Sequence, residues 1–338
     1  MARRLSKQEP VSHVRLKQAV LIAILVLIFL VIWLTRTAHN YVYVFLDHYE
    51  GTTSVLQEMK GIQRSESDSE ALLPLQQAFD DWKQTHLRDD AEVTAPDSTT
   101  LRGGLYDAGA DVTVILLHPF DGSSASSDYL LAPYYAAKGY NILLPDSRDH
   151  GESGGAHVTY GLTEGGDTAA WVRWLLERCG PDHKVILHGT DLGANAALAG
   201  AAQLQADPET RDAVLFVAAQ SPIENLYDEA EYVLRGQYRV PSFIVRLSDR
   251  YARGSLGGKS MADVSLAELT DGCTVPVLVI RESEDTVIYP ASAERFCGEY
   301  AGECTLLELP GRHGTGYALD TAGYEAALDA MIAAIAND

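Results

Sequence analysis

The stretch KVILHGTDLGANAALAG, residues 184–200, decides the fold of this 338-residue chain. It opens with a short apolar run, which predicts a buried strand, and it closes with an alanine- and leucine-rich run, which predicts a helix. Gly189 and Gly193 flank Asp191, so we expect this carboxylate at the apex of a sharp strand-to-helix turn. In the nucleophile elbow G-x-S-x-G, a serine stands at that apex, exposed above the sheet. Here the position holds an aspartate.

The rest of the chain repeats the strand-then-helix pattern. We predict strands at 112–118, 141–146, 184–189, 213–219, 275–281 and 304–310, and helices at 126–138, 164–178, 192–206, 291–300 and 319–336. Near-continuous apolar strands that alternate with helices indicate a mostly parallel sheet covered on both faces. Residues 91–109 predict an antiparallel hairpin at its start. The predicted fold is therefore α/β, with one domain over 91–338.

Two segments lie outside this regular pattern. The interruption at 221–272 is long for a connection, which is typical of a lid or a binding loop. Residues 37–90 read as a polar, partly helical connector, with SESDSE at 65–70 as its most solvated piece. LLPLQQAFDDW at 72–82 predicts a packed helix within that connector.

The N-terminus predicts a membrane anchor. Residues 19–34 are sixteen unbroken apolar residues, near the lower length for a span, so we place the anchor at 18–36. The tail at 1–17 carries five basic residues and one acidic residue, which places it in the cytoplasm and the main domain outside. A cleaved signal peptide is the competing interpretation, although Arg36 falls at the third position before any cut after Ala38. A buried core helix is the third.

Charge limits the partners of the main domain. The chain has a formal net charge of −21, and the part beyond residue 36 has 20 basic against 46 acidic residues. Nucleic acid and anionic lipid head groups are therefore expected to be poor partners for the domain as a whole. A solvated acidic surface explains this balance.

The cysteines predict a disulfide and no zinc site. Cys179, Cys273, Cys297 and Cys304 form no C-x-x-C pair and no histidine-spaced set. Cys297 and Cys304 are close in sequence and are the first candidate bridge, while three complete pairings remain open. Gly189 and Gly193 belong to no G-x-G-x-x-G motif, so we expect neither a metal nor a cofactor.

Three reactive side chains follow predicted strands. In an open α/β sheet, ligands bind at the carboxyl ends of the strands. Asp191 follows the strand at 184–189, Asp285 follows 275–281, and His313 follows 304–310. We therefore expect these three side chains to meet at one edge of the sheet.

The order of these residues resembles the α/β hydrolases, in which a nucleophile is followed by an acid and then a histidine. More narrowly, the chain resembles bacterial membrane-anchored, serine-aminopeptidase-like α/β hydrolases over about 91–338. The similar motifs are DSRDHGESGGAHVTYG at 146–161, RESEDTVIYP at 281–290 and HPFDGSS at 118–124. The resemblance implies Asp191, Asp285 and His313 as catalytic residues and the backbone N–H groups of Phe120 and Leu192 as oxyanion donors.

The chain departs from this family at three places. Asp191 replaces the serine, His118-Pro119 replaces the H-G of the oxyanion loop, and Arg281-Glu282 replaces the H-G of the acid turn. Ser153 in Gly151-Glu152-Ser153-Gly154-Gly155 also matches G-x-S-x-G. It lacks the strand-turn-helix context, so we expect it to order its loop instead.

Asp191 allows three interpretations. As an ionised nucleophile it would attack saturated carbon, as in haloalkane dehalogenases and epoxide hydrolases, and His313 would then activate water. Such dehalogenases have a halide-binding tryptophan after the aspartate, whereas this chain has Leu192 there. Epoxide hydrolases use ring-opening tyrosines from a large cap, but Tyr227, Tyr232 and Tyr238 in the short insertion are more typical of packing residues. Alternatively, Asp191 and Asp285 hold His313 as an imidazolium in a salt-bridged relic. The third interpretation is a hydrolase of unspecified route, including one in which Asp191 replaces a native serine.

We predict a membrane-anchored, extracytoplasmic hydrolase of small or lipid-like substrates, with Asp191 as nucleophile. The alternative is a catalytically inactive binding or scaffold protein with the same fold.

Overall fold

An eight-stranded sheet organises the chain, in the spatial order β1-β2-β4-β3-β5-β6-β7-β8. Its strands are β1 (Asp89–Thr94), β2 (Thr100–Tyr106), β3 (Val112–Leu117), β4 (Asn141–Pro145), β5 (Lys184–Thr190), β6 (Val214–Gln220), β7 (Val277–Glu282) and β8 (Cys304–Leu309). β1 and β2 pair antiparallel, β2 pairs antiparallel with β4, and the remaining neighbours are parallel. The predicted sheet and its opening hairpin are confirmed.

The structure is a computed structural model, and it describes residues 13–46, 66–122 and 129–335. Its helices are α1 (His13–Leu46), α2 (Glu66–Thr85), α3 (Ala132–Ala137), α4 (Glu164–Cys179), α5 (Leu192–Ala206), α6 (Leu226–Glu231), α7 (Ser242–Ala252), α8 (Leu266–Leu269), α9 (Ser292–Glu299), α10 (Gly316–Leu319) and α11 (Thr321–Ile335). Four parts of the predictions lie outside the described residues: residues 1–12 of the basic tail, residues 47–65 of the connector with the first residue of SESDSE, positions 123–124 of the oxyanion loop with 126–128 of a predicted helix, and residue 336 of the last predicted helix.

Both faces of the sheet are covered. Alternate residues of the central strands face opposite sides: Ile115 and Leu187 pack with α4 and α5, while Val114 and Ile186 pack with α3 and α11. α2, from the predicted connector, joins the second layer through the buried side chains of Phe79 and Trp82. This confirms the helix predicted at 72–82 and shows that part of the connector belongs to the packed domain.

The N-terminal helix is longer than the anchor predicted at 18–36. The hydroxyls of Thr35 and Thr37 donate to carbonyls one turn back, and no proline or glycine interrupts the helix before its end at Leu46. Residues 15–42 are long and apolar enough to cross a membrane, and an 18-residue window within them has a mean hydropathy of 2.8. A signal sequence near the N-terminus can have the same length and apolar composition. The last turns differ, because Ala38, Val42 and Leu46 are buried against the insertion.

The insertion between β6 and β7 carries α6, a π-helical turn at 232–237, α7 and α8. Its apolar side chains form one cluster with Phe120 and Leu192, so it covers the carboxyl edge of the sheet. Tyr227 and Tyr232 pack against this cluster, whereas Tyr238 is exposed.

The cysteine pairing predicted first is present. Cys297 at the end of α9 is bonded to Cys304 at the start of β8. Cys179 is an exposed free thiol and Cys273 is a buried one.

Candidate active site

Asp191 stands at the apex of the turn between β5 and α5. Its backbone has φ 53° and ψ −114°, a strained conformation for a residue with a side chain. The two flanking glycines permit the turn: a Cβ at Gly189 would lie 2.1 Å from the Gly193 carbonyl oxygen, and one at Gly193 would lie 2.2 Å from that of Leu117. The strand-turn-helix context predicted from sequence is therefore confirmed.

The two oxygens of the Asp191 carboxylate have different surroundings. The N–H of Phe120 donates to Oδ2 at 3.3 Å. Oδ1 is buried and has no hydrogen-bond partner within the described part of the chain. Leu192, the second predicted donor, is the first residue of α5 and is fully buried. One carboxylate oxygen is therefore held by the oxyanion loop, and the other is buried without a hydrogen bond to the described residues.

His313 and Asp285 form a close pair at the carboxyl edge of the sheet. The Nδ1–H of His313 donates to Asp285 Oδ2 at 2.8 Å, and Asp285 Oδ1 accepts the N–H groups of Val287 and Ile288 at 2.7 and 3.1 Å. Burial alone raises the pKa of Asp285, but the charge and hydrogen bond of His313 lead the effects that hold it below its usual value.

The pKa of His313 shows that Asp191 belongs to the same electrostatic cluster. Burial disfavours the imidazolium, but the negative charges of Asp285, Asp191 and Glu282 outweigh it and raise the pKa of His313 to about 10. The sequence predicted the direction of this shift from two carboxylates. The structure adds a third.

Glu282 is the residue that sequence reasoning missed. It ends β7, is 2% exposed, and accepts from Gln220 Nε2 at 2.5 Å and from the Ser221 hydroxyl at 2.8 Å. Burial raises its pKa. Glu282 lies at the carboxyl end of a strand, as Asp285 does, so its position in the sequence is a signal that it belongs to the site. In the motif it stands only where the family has the glycine of H-G.

Glu282, Asp285 and His313 offer ligand atoms within 4.8 Å of one another. The His313 Nδ1–H already donates to Asp285 and Glu282 already accepts two hydrogen bonds, so the donor set fits a hydrogen-bonded cluster rather than a metal ion.

A buried chain of hydrogen bonds extends from Glu282 into the sheet. Gln220 Oε1 accepts the Tyr324 hydroxyl at 2.9 Å, Tyr324 lies 3.0 Å from His188 Nε2, and His188 Nδ1 lies 2.9 Å from the Tyr135 hydroxyl. Burial lowers the pKa of His188 to about 3, so its ring is neutral, with Nε2 donating and Nδ1 accepting. This chain fixes Gln220 and, through it, Glu282.

The loop at 146–161 holds the oxyanion loop in place. Arg148 makes a two-pronged contact with Asp167 at 2.7 and 2.6 Å, and the nearby His150 Nε2–H donates to the Phe120 carbonyl at 2.6 Å. Ser153 Oγ donates to the Asp146 carbonyl at 2.7 Å and accepts the Arg102 N–H at 2.9 Å. The loop-ordering role predicted for Ser153 is therefore confirmed.

Comparison with known proteins agrees with this geometry. A family model described as "alpha/beta hydrolase fold" matches residues 112–264. The chain has the α/β-hydrolase fold. The strand order, the turn at Asp191 and the order of nucleophile position, acid and histidine all fit this superfamily.

The individual proteins that the chain is similar to are distant. The chain is 30% identical over 181 residues to "Uncharacterized protein YqkD" of Bacillus subtilis (strain 168), an alignment that covers 53% of this chain and 57% of that protein. The chain thus spans just over half the length of that relative. The Pyrococcus furiosus esterase Pf2001 has a TM-score of 0.60 at 21% identity, covering 74% of this chain and 92% of that one. The α/β hydrolase GrgF from Penicillium sp. sh18 has a TM-score of 0.56 at 17% identity, covering 74% and 98%.

Proposed function

We propose that the protein is a membrane-anchored hydrolase of small or lipid-like substrates, and that Asp191 is its nucleophile. The observation that carries this proposal is the unequal environment of the Asp191 carboxylate. Oδ2 accepts the Phe120 N–H, whereas Oδ1 is buried without a partner among the described residues. A carboxylate needs no base to become a nucleophile, so this oxygen can attack once a substrate displaces the groups that cover it.

The first step is displacement at a saturated carbon. Asp191 Oδ1 forms a bond to that carbon while the bond to the leaving group breaks, and the leaving group departs with the bonding electron pair. The product is an ester of Asp191. Attack on an acyl carbon would instead give a reactive anhydride, so an aspartate at this position favours alkyl substrates over the carboxylic esters that a serine would cleave.

The second step is hydrolysis of that ester. Esterification removes the negative charge of Asp191, one of the three carboxylates that raise the pKa of His313. The pKa of His313 therefore falls at the moment when a base is needed. His313 gives its extra proton to the leaving group or to solvent, and the neutral ring then takes a proton from water, whose oxygen attacks Asp191 Cγ. Phe120 N–H stabilises the resulting oxyanion. The Cγ–Oδ1 bond then breaks with its electron pair on oxygen, and this oxygen takes the proton of the hydroxyl left on Cγ, which frees the alcohol and restores the carboxylate.

The membrane part of the proposal rests on α1. Its residues 20–33 are exposed and apolar, which suits a lipid environment, while its last turns pack on the insertion. We propose that the helix is retained as a single-pass anchor with the N-terminus in the cytoplasm and the domain outside. We further propose that the insertion at 221–272 acts as a lid over the site. An anchor this close to the lid favours lipid-like or membrane-dissolved substrates.

A specific observation also favours the second candidate, an inactive binding protein. Three carboxylates around His313 hold it as an imidazolium at neutral pH, and an imidazolium cannot act as a base. A charged cluster of this kind is compatible with a protein that binds a ligand at this site and catalyses no reaction.

Trapping of the covalent intermediate tests the proposal. The native full-length chain, solubilised in detergent, is incubated with bromohexane and separately with epoxyhexane in water enriched in heavy oxygen. We expect heavy oxygen to enter the peptide that contains Asp191. We also expect His313→Gln to accumulate a hexyl or hydroxyhexyl adduct on Asp191, because the ester forms and is not hydrolysed. Peptide mass spectrometry measures both.

The matched control is Asp191→Asn, which should show no adduct with either probe. If the native chain shows no labelled Asp191 and no turnover while Asp191→Ser hydrolyses para-nitrophenyl acetate, the nucleophile assignment is wrong. Asp191 then marks an inactive relic or a replaced serine.

A further inference from the structure

The lid helix α7 exposes one narrow, basic stripe. Its buried side chains include Ile244, Val245 and Ala252. The outward positions are Phe243, Arg246, Arg250 and Arg253, and Phe243 is 51% exposed. Their spacing of three, four and three residues places all four on one side of the helix. Clustered basic side chains next to a membrane-spanning helix attract anionic lipid head groups, and the exposed Phe243 among them offers an apolar contact to the same interface.

The segment that contains α7 is positively charged, whereas the whole chain is negatively charged. Residues 235–259 contain five arginines and one lysine against one aspartate, although the chain carries a net charge of −21. Arg246 and Arg250 form no ion pair with any residue that the structure describes, and Arg253 is 3.9 Å from Asp249. The two arginines therefore present uncompensated positive charge to the surroundings.

The stripe lies at the level where the membrane surface is expected. α7 packs against the end of α1, where Ala38, Val42 and Leu46 share a cluster with Ile244 and Val245. The rings of His39 and Tyr251 are 5.6 Å apart. His39 follows the end of the apolar run at Leu34 by five residues, or about 8 Å of helix. The polar interfacial layer of a bilayer is about 5 to 8 Å deep on each side.

We propose that α7 lies on the membrane and that Arg246 and Arg250 bind the phosphate groups of anionic phospholipids. The proposal rests on the membrane anchoring proposed above and is independent of the chemistry of Asp191. The acidic remainder of the domain is repelled by such a surface, so the basic stripe also orients the domain with its lid toward the bilayer. Average charge alone predicts no anionic lipid binding, whereas the local charge at the anchor predicts it.

Hydrogen exchange on the full-length chain in lipid nanodiscs tests this proposal. One set of discs contains phosphatidylcholine alone, and the other contains phosphatidylcholine with phosphatidylglycerol at equal ionic strength. We expect the backbone amides of α7 to exchange about fivefold more slowly in the anionic discs, and those of α4 to be unchanged. High salt should remove the difference, because it screens the attraction.

The double variant Arg246→Gln/Arg250→Gln should lose the difference between the two discs. Its matched control is Arg173→Gln/Arg178→Gln on α4, which removes two partly exposed arginines of the same chain and should keep the difference.

Three outcomes would overturn the proposal. Equal exchange of α7 in both discs means that the helix is held by α1 alone. Equal protection by inorganic phosphate in phosphatidylcholine discs means that the stripe is a site for soluble anions. A native chain that does not co-elute with either disc overturns the anchoring as well. The first two results leave the anchor and the Asp191 chemistry intact, so the failures are distinguishable.

Discussion

At the scale of single residues, the site is defined by charge. The negative charges of Asp285, Asp191 and Glu282 act on one histidine, His313, and raise its pKa to about 10. A serine at 191 would remove one of these charges, as would an alkyl ester of Asp191. Under the proposed mechanism, the same electrostatic arrangement gives an inert resting state and a base that is released only after the first chemical step.

The stability of the fold should depend on the charge of His313. A histidine whose pKa is raised on folding stabilises the native state fully below its unfolded pKa near 6.5, and this stabilisation is lost as the pH rises through about 10. We therefore expect His313→Gln to lower the free energy of unfolding at pH 6 and to have little effect near pH 10.5. Urea denaturation at the two pH values measures the difference.

Glu282→Gln serves as the companion variant. Removing one of the three charges should lower the pKa of His313 and shift the loss of stabilisation to lower pH, as a nuclear magnetic resonance titration of the histidine would show. An unchanged His313 titration would contradict the role assigned to Glu282.

At the scale of elements, the sequence predicts what depends on short-range pattern. The strands from β3 to β8 are short, near-continuous apolar runs that alternate with helical segments, so their positions follow from this pattern, and the turn at Asp191 follows from Gly189 and Gly193. The strand-end rule also brings Asp191, Asp285 and His313 to one cluster.

Contacts between residues far apart in the chain could not be predicted from the sequence. The composition changes at Thr35, which suggests an end to the anchor, but contact with α7 continues the helix to Leu46. Glu282 resembles a surface residue in sequence and is buried only because Gln220 and Ser221 of the neighbouring strand end supply its donors. Neither partner is near in sequence, so no local pattern reports the contact.

The elbow itself should tolerate no side chain at its glycines. A Cβ at Gly193 would lie 2.2 Å from the backbone oxygen of Leu117, so Gly193→Ala must displace either α5 or β3. We expect a loss of about 3 kcal/mol in the free energy of unfolding, measured by chemical denaturation. The control is Gly298→Ala in α9, where a Cβ meets nothing within 4 Å and the helix should gain about 0.5 kcal/mol. Equal effects at the two positions would contradict the close packing of the turn.

Across the whole chain, the N-terminal helix α1, the proposed lid at 221–272 and the cluster around His313 form one continuous structure. The last turns of α1 pack on α7, and the lid cluster that contains α7 includes Phe120, whose N–H reaches Asp191. The Val158 N–H, in the loop that supports Phe120, also donates to the Leu46 carbonyl at 2.7 Å. The end of α1 is thus packed as a structural part of the domain, whatever the role of its apolar run.

Two shortened chains separate these roles. A chain that begins at residue 37 loses the apolar run but keeps Ala38, Val42 and Leu46, whereas one that begins at residue 47 also exposes the lid face that they cover. Burying each of the two larger side chains is worth about 1.5 to 3 kcal/mol, so their loss should let α7 open locally. We expect trypsin to cut after Arg246 or Arg250 about tenfold faster in the shorter chain. Cleavage after Arg178 on α4 is the internal control and should proceed at the same rate in both chains. Equal cleavage of α7 in the two chains would mean that the lid holds its position without α1, and that the helix is only a tether.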